Sequence, residues 1–352
     1  MKRTPNLWPA LASWPNLALA LHRAALGKRR RPDVATFLLD WEPRLVVLAR
    51  ELESGDYRPG PYRTFIVRDP KMRKISAAPF RDRVVHHALT QVLEPVFEPR
   101  FARESHACRV GLGTHTALDA AARGSHDYPY VLQCDIRKYF PSIDHQILNR
   151  QLSRSVKCAR TLDLAARIID GSNPQDGPDF LFPGDDLFTP YERRRGLPLG
   201  NQTSQFFANL YLNAFDHFVL REIQPHRYVR YVDDFLLFHE DKAFLKEARA
   251  RVEAYLETLR LRLHDGKSRT YPCADGFSFL GWRLFPDHRR LVRGNVVRFN
   301  RRMNAMVRDY AAGELDLKDV VERLKAWSAH ASHGDTWHLR ERIFDRHPFT
   351  AP

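Results

Sequence analysis

The first 55 residues carry apolar side chains at helical spacing. The run Leu17–Leu26 is followed by a basic cluster, Lys28–Arg31, and a second amphipathic run extends from Leu38 to Leu52. Apolar positions that recur every three to four residues place one face of a helix against a core. The pattern therefore predicts helices that end near Gly55, because glycine is common just beyond a helix C-terminus.

The spacing changes after Tyr57, where short apolar runs lie between turn residues. Such runs predict a strand at Thr64–Val67, a turn at Asp69-Pro70 and a second strand centred on Ile75. Helical spacing returns between Arg83 and Phe97 and predicts a long helix there.

The same pattern predicts the elements of the second half of the chain. In chain order they are a strand at Tyr130–Cys134, a loop at Asp170–Gly196, a helix at Ser204–Leu220, strands at Tyr228–Val232 and Phe235–Phe238, and a helix at 242–263. The residues after Trp282 are basic and are predicted to be mostly helical.

Composition adds a strong positive charge to this mixed pattern. Lys and Arg number 56 against 42 Asp and Glu, so the net charge is +14. A chain this basic binds a phosphate backbone, an anionic membrane or an acidic protein, and composition alone does not choose among them. The hydrophobic fraction of 43% is that of a globular protein.

Several locations and site types are disfavoured. No apolar stretch reaches the roughly 18 residues of a transmembrane helix. Three prolines within the first fifteen residues argue against a secretory signal. The positive charge is spread along the chain rather than gathered in one membrane-binding helix. The cysteines form no CxxC pair, so we expect reduced thiols in a cytoplasmic protein, at Cys108, Cys134, Cys158 and Cys273.

An adjacent carboxylate pair, Asp233-Asp234, lies between two predicted strands. Such a pair is most often an ordinary aspartate-rich turn. The flanking strands here are too apolar for a surface loop and belong inside a sheet. The two carboxylates are therefore predicted to emerge at one end of that sheet.

Asp135 directly follows another apolar strand. Alone it would be interpreted as a helix N-cap. Together with Asp233 it becomes a metal-ligand candidate, because Mg²⁺ prefers oxygen ligands and retains waters and substrate phosphates. Carboxylates on neighbouring strands can hold two such ions about 4 Å apart, an arrangement that suits in-line phosphoryl transfer.

Three further features have both a structural and a functional interpretation. Gly196–Gln205 is either a turn capped by Ser204 or a glycine-rich approach to a nucleotide. The basic stretch 68–83 is either a solvated face or a clamp on a triphosphate. Lys267 is either a surface lysine or a general acid beside a leaving pyrophosphate.

Taken in order, these features resemble a reverse transcriptase. The order is a basic segment, a strand followed by Asp-x₄-Phe, a GxxxS turn and helix, Tyr-Val-Asp-Asp, a lysine and Phe-Leu-Gly. The resemblance implies an α+β right-hand polymerase with fingers, a ferredoxin-like palm and a helical thumb. The YVDD hairpin would belong to the antiparallel sheet of the palm. The implied domains are an N-terminal helical segment at 1–55, fingers and palm at 56–282, and the thumb at 283–352.

Within that family the turn resembles the reverse transcriptases of diversity-generating retroelements. Most reverse transcriptases carry Gln-Gly-x₃-Ser-Pro, whereas this chain has Leu199-Gly200-x₃-Ser204-Gln205. The resemblance implies a bacterial or phage-encoded RNA-directed DNA polymerase that makes error-prone cDNA from a retroelement template RNA. The implied partners are template RNA, the RNA–DNA duplex, dNTPs and a small basic pentameric helical accessory protein.

The resemblance also implies residue roles. Two Mg²⁺ ions, with Mn²⁺ as a substitute, would be held by Asp135, Asp233, Asp234 and the carbonyl of Ile136. Lys267 would act catalytically on the pyrophosphate side. The nucleotide contacts would be Arg73, Lys71, Arg68, Phe140, Leu199, Gly200 and Gln205. Phe140 would exclude a ribose 2′-hydroxyl. The primer grip would be formed by Phe279, Leu280 and Gly281.

Leu199 stands where most members of the family have a glutamine near the nascent base pair. Leucine neither donates nor accepts a hydrogen bond. Discrimination depends on polar groups that the wrong substrate leaves unpaired, so the replacement predicts low fidelity. The resemblance adds that errors concentrate at template adenines.

Two other interpretations remain open from the sequence. One is another bacterial reverse transcriptase, derived from a group II intron or used in phage defence. The other is a non-catalytic, basic RNA-binding scaffold with a degenerate palm. The scaffold is disfavoured because Asp135, Asp233 and Asp234 are all present in an otherwise basic chain.

Overall fold

The computed structural model describes residues 3–68, 72–171 and 180–349. Its α-helices are α1 Trp8–Ala12, α2 Trp14–Ala25, α3 Pro32–Leu39, α4 Trp41–Ser54, α5 Phe80–Phe97, α6 Thr114–Asp127, α7 Tyr139–Ser142, α8 His145–Ser153, α9 Ala159–Asp170, α10 Thr189–Glu192, α11 Gln202–Phe218, α12 Lys242–Thr258, α13 Arg293–Ala311, α14 Leu317–Ala331 and α15 Trp337–Asp345. Its strands are β1 Arg63–Val67, β2 Arg73–Ala77, β3 Tyr130–Asp135, β4 Arg227–Tyr231, β5 Asp234–His239, β6 Arg269–Pro272, β7 Phe277–Phe279, β8 Trp282–Leu284 and β9 Arg289–Leu291.

Helices and antiparallel sheets together form a mixed α+β fold, which confirms the predicted class. β1 and β2 make a hairpin, a four-stranded sheet has the order β4-β5-β3-β6, and a three-stranded sheet has the order β7-β8-β9. β4 pairs antiparallel with β5, and β3 pairs antiparallel with β6. None of the described helices is long and apolar enough to cross a bilayer.

The chain divides into two compact units, and neither is continuous in sequence. The first unit consists of three segments, of which the structure describes the residues up to Val110, those within Asp135–Gln224, and Ala250–Asp265. The second contains Gly111–Cys134, Pro225–Arg249 and the described residues from Gly266 onward. The sequence-based boundaries at residues 55 and 282 follow composition and motif order, and they describe a different kind of division.

The core of the first unit begins with α2 and α5. α2 buries one face, which includes Leu17, Leu21 and Ala24, and its first turn is capped by the Ser13 side chain, which accepts from Asn16 N. That face packs against α5. The predicted helix at 83–97 is thereby confirmed, although it begins three residues earlier, at Phe80.

The second amphipathic run near the N-terminus is two helices rather than one. α3 ends at Leu39 and α4 begins at Trp41, with Asp40 between them at φ −134°. The side chain of Leu39 is 87% exposed. It therefore does not belong to the buried face of α3, although an apolar residue in an amphipathic run is expected to be buried. The predicted end is correct, because Gly55 follows α4 in the left-handed region at φ 80°.

The four-stranded sheet of the second unit packs against α6. Its buried residues Val131, Leu236 and Phe238 form one cluster with alanines of that helix. A Cβ on Gly124 would lie 2.7 Å from the Phe238 ring, so glycine permits the close approach of α6 to the sheet.

Two predicted helices have different bounds in the structure. The helix predicted at 242–263 ends at Thr258, and Arg260 takes a left-handed φ of 55°. Beyond this helix, Leu263 forms an antiparallel bridge with Ile136. The helix predicted at 204–220 is α11, which begins at Gln202 and ends at Phe218.

The residues after Trp282 are mostly helical, as predicted, but the helices start later. β8 and β9 hold residues 282–284 and 289–291, and α13 begins at Arg293. α13, α14 and α15 share a small core in which the rings of Phe299 and Trp327 stack at 3.6 Å.

Candidate functional site

β3 delivers Asp135 at the end of a buried strand. Val131, Leu132 and Cys134 are fully buried, which explains why this apolar run forms a strand inside the sheet. Asp135 is its last residue, and the Asp135 carbonyl accepts from His264 N at 2.7 Å. The predicted position of this carboxylate at a strand end is confirmed.

The other two carboxylates, Asp233 and Asp234, lie in and directly after a tight hairpin turn. Tyr231 pairs with Asp234 across β4 and β5, so the connecting loop consists of Val232 and Asp233 alone. Val232 has φ 59°, which is strained for a β-branched residue. The fully buried Arg230 donates from Nη1 to the Val232 carbonyl at 2.8 Å and thereby supports the turn.

Strand order relates these carboxylates to one another. β5 and β3 are neighbours in the four-stranded sheet. Asp135 is the last residue of β3, and Asp234 is the first residue of β5. Within the described part of the chain, no group of three or more His, Cys, Asp and Glu side chains is arranged to hold a metal ion by itself. Aspartate oxygens are nevertheless the donors that Mg²⁺ prefers, with waters and phosphates completing its coordination.

The backbone after Asp135 is fixed by the segment that follows α12. Ile136 is buried and bridges to Leu263, while Arg137 N donates to the Arg262 carbonyl at 2.9 Å. The backbone hydrogen bonds on either side of this bridge are made by Asp135 and Arg137 and not by Ile136. The Ile136 carbonyl is therefore not used in pairing with the segment that contains Leu263.

Phe140 lies five residues beyond Asp135, in the short helix α7. It is half-buried, and its ring is 5.6 Å from that of Tyr139. The Tyr139 hydroxyl donates to the Ala208 carbonyl of α11 at 2.5 Å, and the Phe140 carbonyl accepts from Leu197 N at 2.8 Å. These contacts hold α7 beside the Gly196–Gln205 turn.

Ser204 is not the N-cap of α11, so this prediction was wrong. Asn201 occupies the cap position, and Ser204 is buried inside the helix. The Asn201 side chain makes no capping bond, because its Oδ1 accepts instead from Ala78 N at 3.3 Å. Asn201 Nδ2 also donates to the Ser76 carbonyl at 3.0 Å.

The predicted nucleotide contacts of this turn do not share one environment. Leu199 is half-buried, and its carbonyl accepts from Ser76 N at 3.1 Å. Gly200 is exposed at φ 109°. Gln205 is exposed on α11 and lines a cavity of about 210 Å³ together with Glu94 of α5.

The β1–β2 hairpin carries the predicted triphosphate contacts. Val67 pairs with Arg73, which begins β2, and Arg68 directly follows β1. Arg68 and Arg73 are both exposed at the turn end of the hairpin. Lys71 lies outside the described residues.

The remaining predicted residues lie in the second unit. Lys267 is exposed, two residues before β6. Leu280 and Gly281, at φ 48° and 85°, form the two-residue turn between β7 and β8. Phe279 is buried at the end of β7, and the Gly281 carbonyl accepts from Asn295 Nδ2 at 3.1 Å.

A buried polar network in the first unit was not predicted from the sequence. Asp144 is fully buried, caps α8 through Ile147 N at 2.9 Å, and lies 2.5 Å from Arg260 Nη1. Tyr211 OH donates to the Leu259 carbonyl at 2.6 Å, and burial raises the pKa of this hydroxyl. The network fixes the residues after α12 that pair beside Ile136. The sequence offered one signal for part of this network. An aspartate at position 144, just before a run with helical spacing, is typical of a helix N-cap.

The chain resembles known proteins over most of its length. Residues 67–284 match the family described as reverse transcriptase (RNA-dependent DNA polymerase). Protein YkfC of Escherichia coli (strain K12) is 28% identical over 293 residues, which cover 72% of this chain and 74% of YkfC. The group II intron-encoded protein LtrA of Lactococcus lactis subsp. cremoris is 26% identical over 183 residues, 51% of this chain and 29% of LtrA.

Proposed function

This chain belongs to the reverse transcriptase family, and we propose that it copies an RNA template into DNA with Asp135, Asp233 and Asp234 as its catalytic carboxylates. One observation carries the assignment of these residues. Asp135 ends β3, and the neighbouring strand β5 begins at Asp234 directly after a two-residue turn. Carboxylates carried at the ends of neighbouring strands suit the positioning and charge neutralisation on which phosphoryl transfer depends.

The three aspartates and the Ile136 carbonyl would hold two Mg²⁺ ions, or Mn²⁺ in their place. When bound, such ions would supply activation of the attacking 3′-hydroxyl and charge neutralisation at the leaving pyrophosphate. The chain's own part is to hold these oxygens still. Arg230 supports the Val232-Asp233 turn, and the bridge to Leu263 fixes the backbone at Ile136.

The other residues would bind the substrates. Arg73, Arg68 and Lys71 would bind the triphosphate, since guanidinium groups bind phosphate in a bidentate manner. Phe140 would exclude the ribose 2′-hydroxyl and so select dNTPs, and Lys267 would protonate the pyrophosphate. In this proposal, residues 56–282 are fingers and palm, 283–352 are the thumb, and the primer grip is Phe279, Leu280 and Gly281.

The test is primer extension on an RNA template with Mg²⁺. Asp233→Asn should lower dNTP incorporation by at least about a thousandfold, because charge neutralisation carries most of the catalysis. RNA binding, measured by fluorescence anisotropy, should stay within about twofold, since the change removes one negative charge from a strongly basic chain.

Asp275→Asn is the matched control, because Asp275 is an exposed aspartate elsewhere in the second unit. It should extend primers like the wild type. Retained incorporation by Asp233→Asn would refute the assignment of the carboxylates.

We further propose that this polymerase is error-prone and belongs to the diversity-generating type. The support is Leu199 and Gln205, which replace the glutamine and proline of most reverse transcriptases. The half-buried Leu199 side chain offers no polar group whose loss of a partner would penalise a mispair. A small basic helical accessory protein would be its partner in this reading.

Leu199→Gln should lower misincorporation by about tenfold, the size of one recovered hydrogen bond. The measurement is sequencing of cDNA made on a defined RNA template, with errors at template adenines counted separately. Leu187→Gln is the control, because Leu187 is 79% exposed in the same chain segment. Equal error rates for wild type and Leu199→Gln would contradict the role of Leu199.

A group II intron-type reverse transcriptase is the second candidate function. The similarity to the intron-encoded protein LtrA favours it. The same cDNA sequencing separates the two, because faithful copying at adenines is expected of this candidate and not of the first.

A further inference from the structure

Two segments with predicted nucleotide contacts are hydrogen-bonded to each other within the first unit. β2 begins with Arg73, and the turn that precedes α11 contains Leu199 and Gly200. The Leu199 carbonyl accepts from Ser76 N at 3.1 Å. A Cβ on Gly200 would lie 3.0 Å from the Ile75 side chain, so the turn lies tightly against this strand.

Asn201 provides the side-chain part of this connection. Its Nδ2 donates to the Ser76 carbonyl at 3.0 Å, and its Oδ1 accepts from Ala78 N at 3.3 Å. Asn201, Ser76 and Ala78 are each 4% exposed or less, so water does not compete for these bonds. One amide therefore satisfies a backbone donor and a backbone acceptor of the segment that carries Arg73.

We propose that Asn201 is a positioning residue that fixes the Arg73 strand against the Leu199-Gly200 turn, so that both act as one clamp on the incoming dNTP. The proposal rests on the proposed function, because it takes Arg73 and the turn as nucleotide contacts. Asn201 itself touches neither substrate nor metal in this scheme. Its loss should therefore weaken nucleotide binding more than it slows chemistry.

The test is single-nucleotide incorporation by the full chain on a primed RNA template. Asn201→Ala should raise KM for dNTP about tenfold, the size expected for lost buried hydrogen bonds, and change kcat by less than about twofold. Asn201→Asp should also raise KM, because its carboxylate still accepts from Ala78 N but no longer donates to the Ser76 carbonyl. Primer–template affinity should be unchanged in both variants.

Asn209→Ala is the matched control. Asn209 is another buried asparagine of α11, and its Nδ2 donates to the Ala107 carbonyl at 2.7 Å. Its loss should lower Tm much as Asn201→Ala does and leave KM for dNTP unchanged. A KM effect of Asn201→Ala no larger than that of Asn209→Ala would overturn the proposal.

A double-mutant cycle tests the route through β2. Asn201→Ala and Arg73→Ala should be non-additive in KM, because each would disable the same contact. Additive effects would overturn the proposal even if the single variant raises KM. A wild-type chain that incorporates no dNTP would instead overturn the proposed function, and this inference with it.

Discussion

At the scale of single residues, His86 is fully buried on α5 in the first unit. Within the described residues, neither of its ring nitrogens has a hydrogen-bond partner. Burial lowers the pKa of His86 to about 3, and the charges of His87 and Arg83 act in the same direction. The folded chain therefore holds this imidazole neutral at any pH near 7.

This burial should make stability fall as the pH is lowered. The pKa of His86 is about 3 when folded and about 6.5 when unfolded, so below pH 6.5 the unfolded chain takes up a proton that the folded chain does not. Between pH 7.5 and pH 5, we expect the free energy of unfolding of His86→Leu to fall by about 2 kcal/mol less than that of the wild type. The measurement is urea unfolding at several pH values, with the exposed His22→Leu as the control, which should follow the wild type.

The positions of single residues were predictable from the sequence where an apolar run marks the end of a strand. Asp135, Asp233 and Asp234 were placed correctly because each follows or precedes an apolar run that forms a strand. Asn201 was missed because its partners Ser76 and Ala78 are more than 120 residues away in sequence. Ser204, three residues later, was the simpler choice for the helix cap. Only the tertiary structure shows that the Asn201 side chain bonds to the backbone of Ser76 and Ala78.

At the scale of elements, the β4–β5 hairpin has a turn that is strained at one position. Val232 has φ 59°, whereas Asp233 does not have a positive φ. A two-residue turn with positive φ only at its first position normally carries glycine there. Strain of this kind persists at functional sites, where it fixes the direction of a neighbouring side chain.

Val232→Gly should therefore raise the free energy of unfolding by about 1 kcal/mol, because relief of strain exceeds the entropy cost of glycine. Primer extension should slow, since the turn that holds Asp233 becomes freer. Guanidinium unfolding and extension rates are the two measurements. Val110→Gly, at a residue 93% exposed and without positive φ, should not stabilise the chain. An unchanged or lower stability of Val232→Gly would contradict the strain argument.

Elements were predictable where large apolar residues set the period. The strands of the YVDD hairpin and the helix of 83–97 carry valine, leucine and phenylalanine and were recognised. α6 was not, because its buried face consists largely of Ala117, Ala120, Ala121 and Gly124. Small residues give a weak hydrophobic signal in a sequence, although they permit the close packing seen at Phe238.

At the scale of the whole molecule, the sequence predicted the fold class but not how contacts divide the chain. Motif order suggested consecutive segments with boundaries at residues 55 and 282. The compact units are each built from three separate segments, a division by contacts that does not test those boundaries. Which segments share a core depends on long-range pairing, and hydrophobic periodicity, a local property, carries no information about it.

The four-stranded sheet can be completed only after β6 has been synthesised, because β6 pairs with β3. Tyr130 pairs with Pro272, and Gln133 pairs with Arg269, so the partners are more than 130 residues apart. The β4–β5 hairpin closes locally within microseconds, whereas such distant pairing is slow. During synthesis, the strand that carries Asp135 leaves the ribosome long before its partner exists. The nascent chain therefore exposes one edge of β3 until residue 272 has emerged, and this is the interval in which a chaperone would protect it.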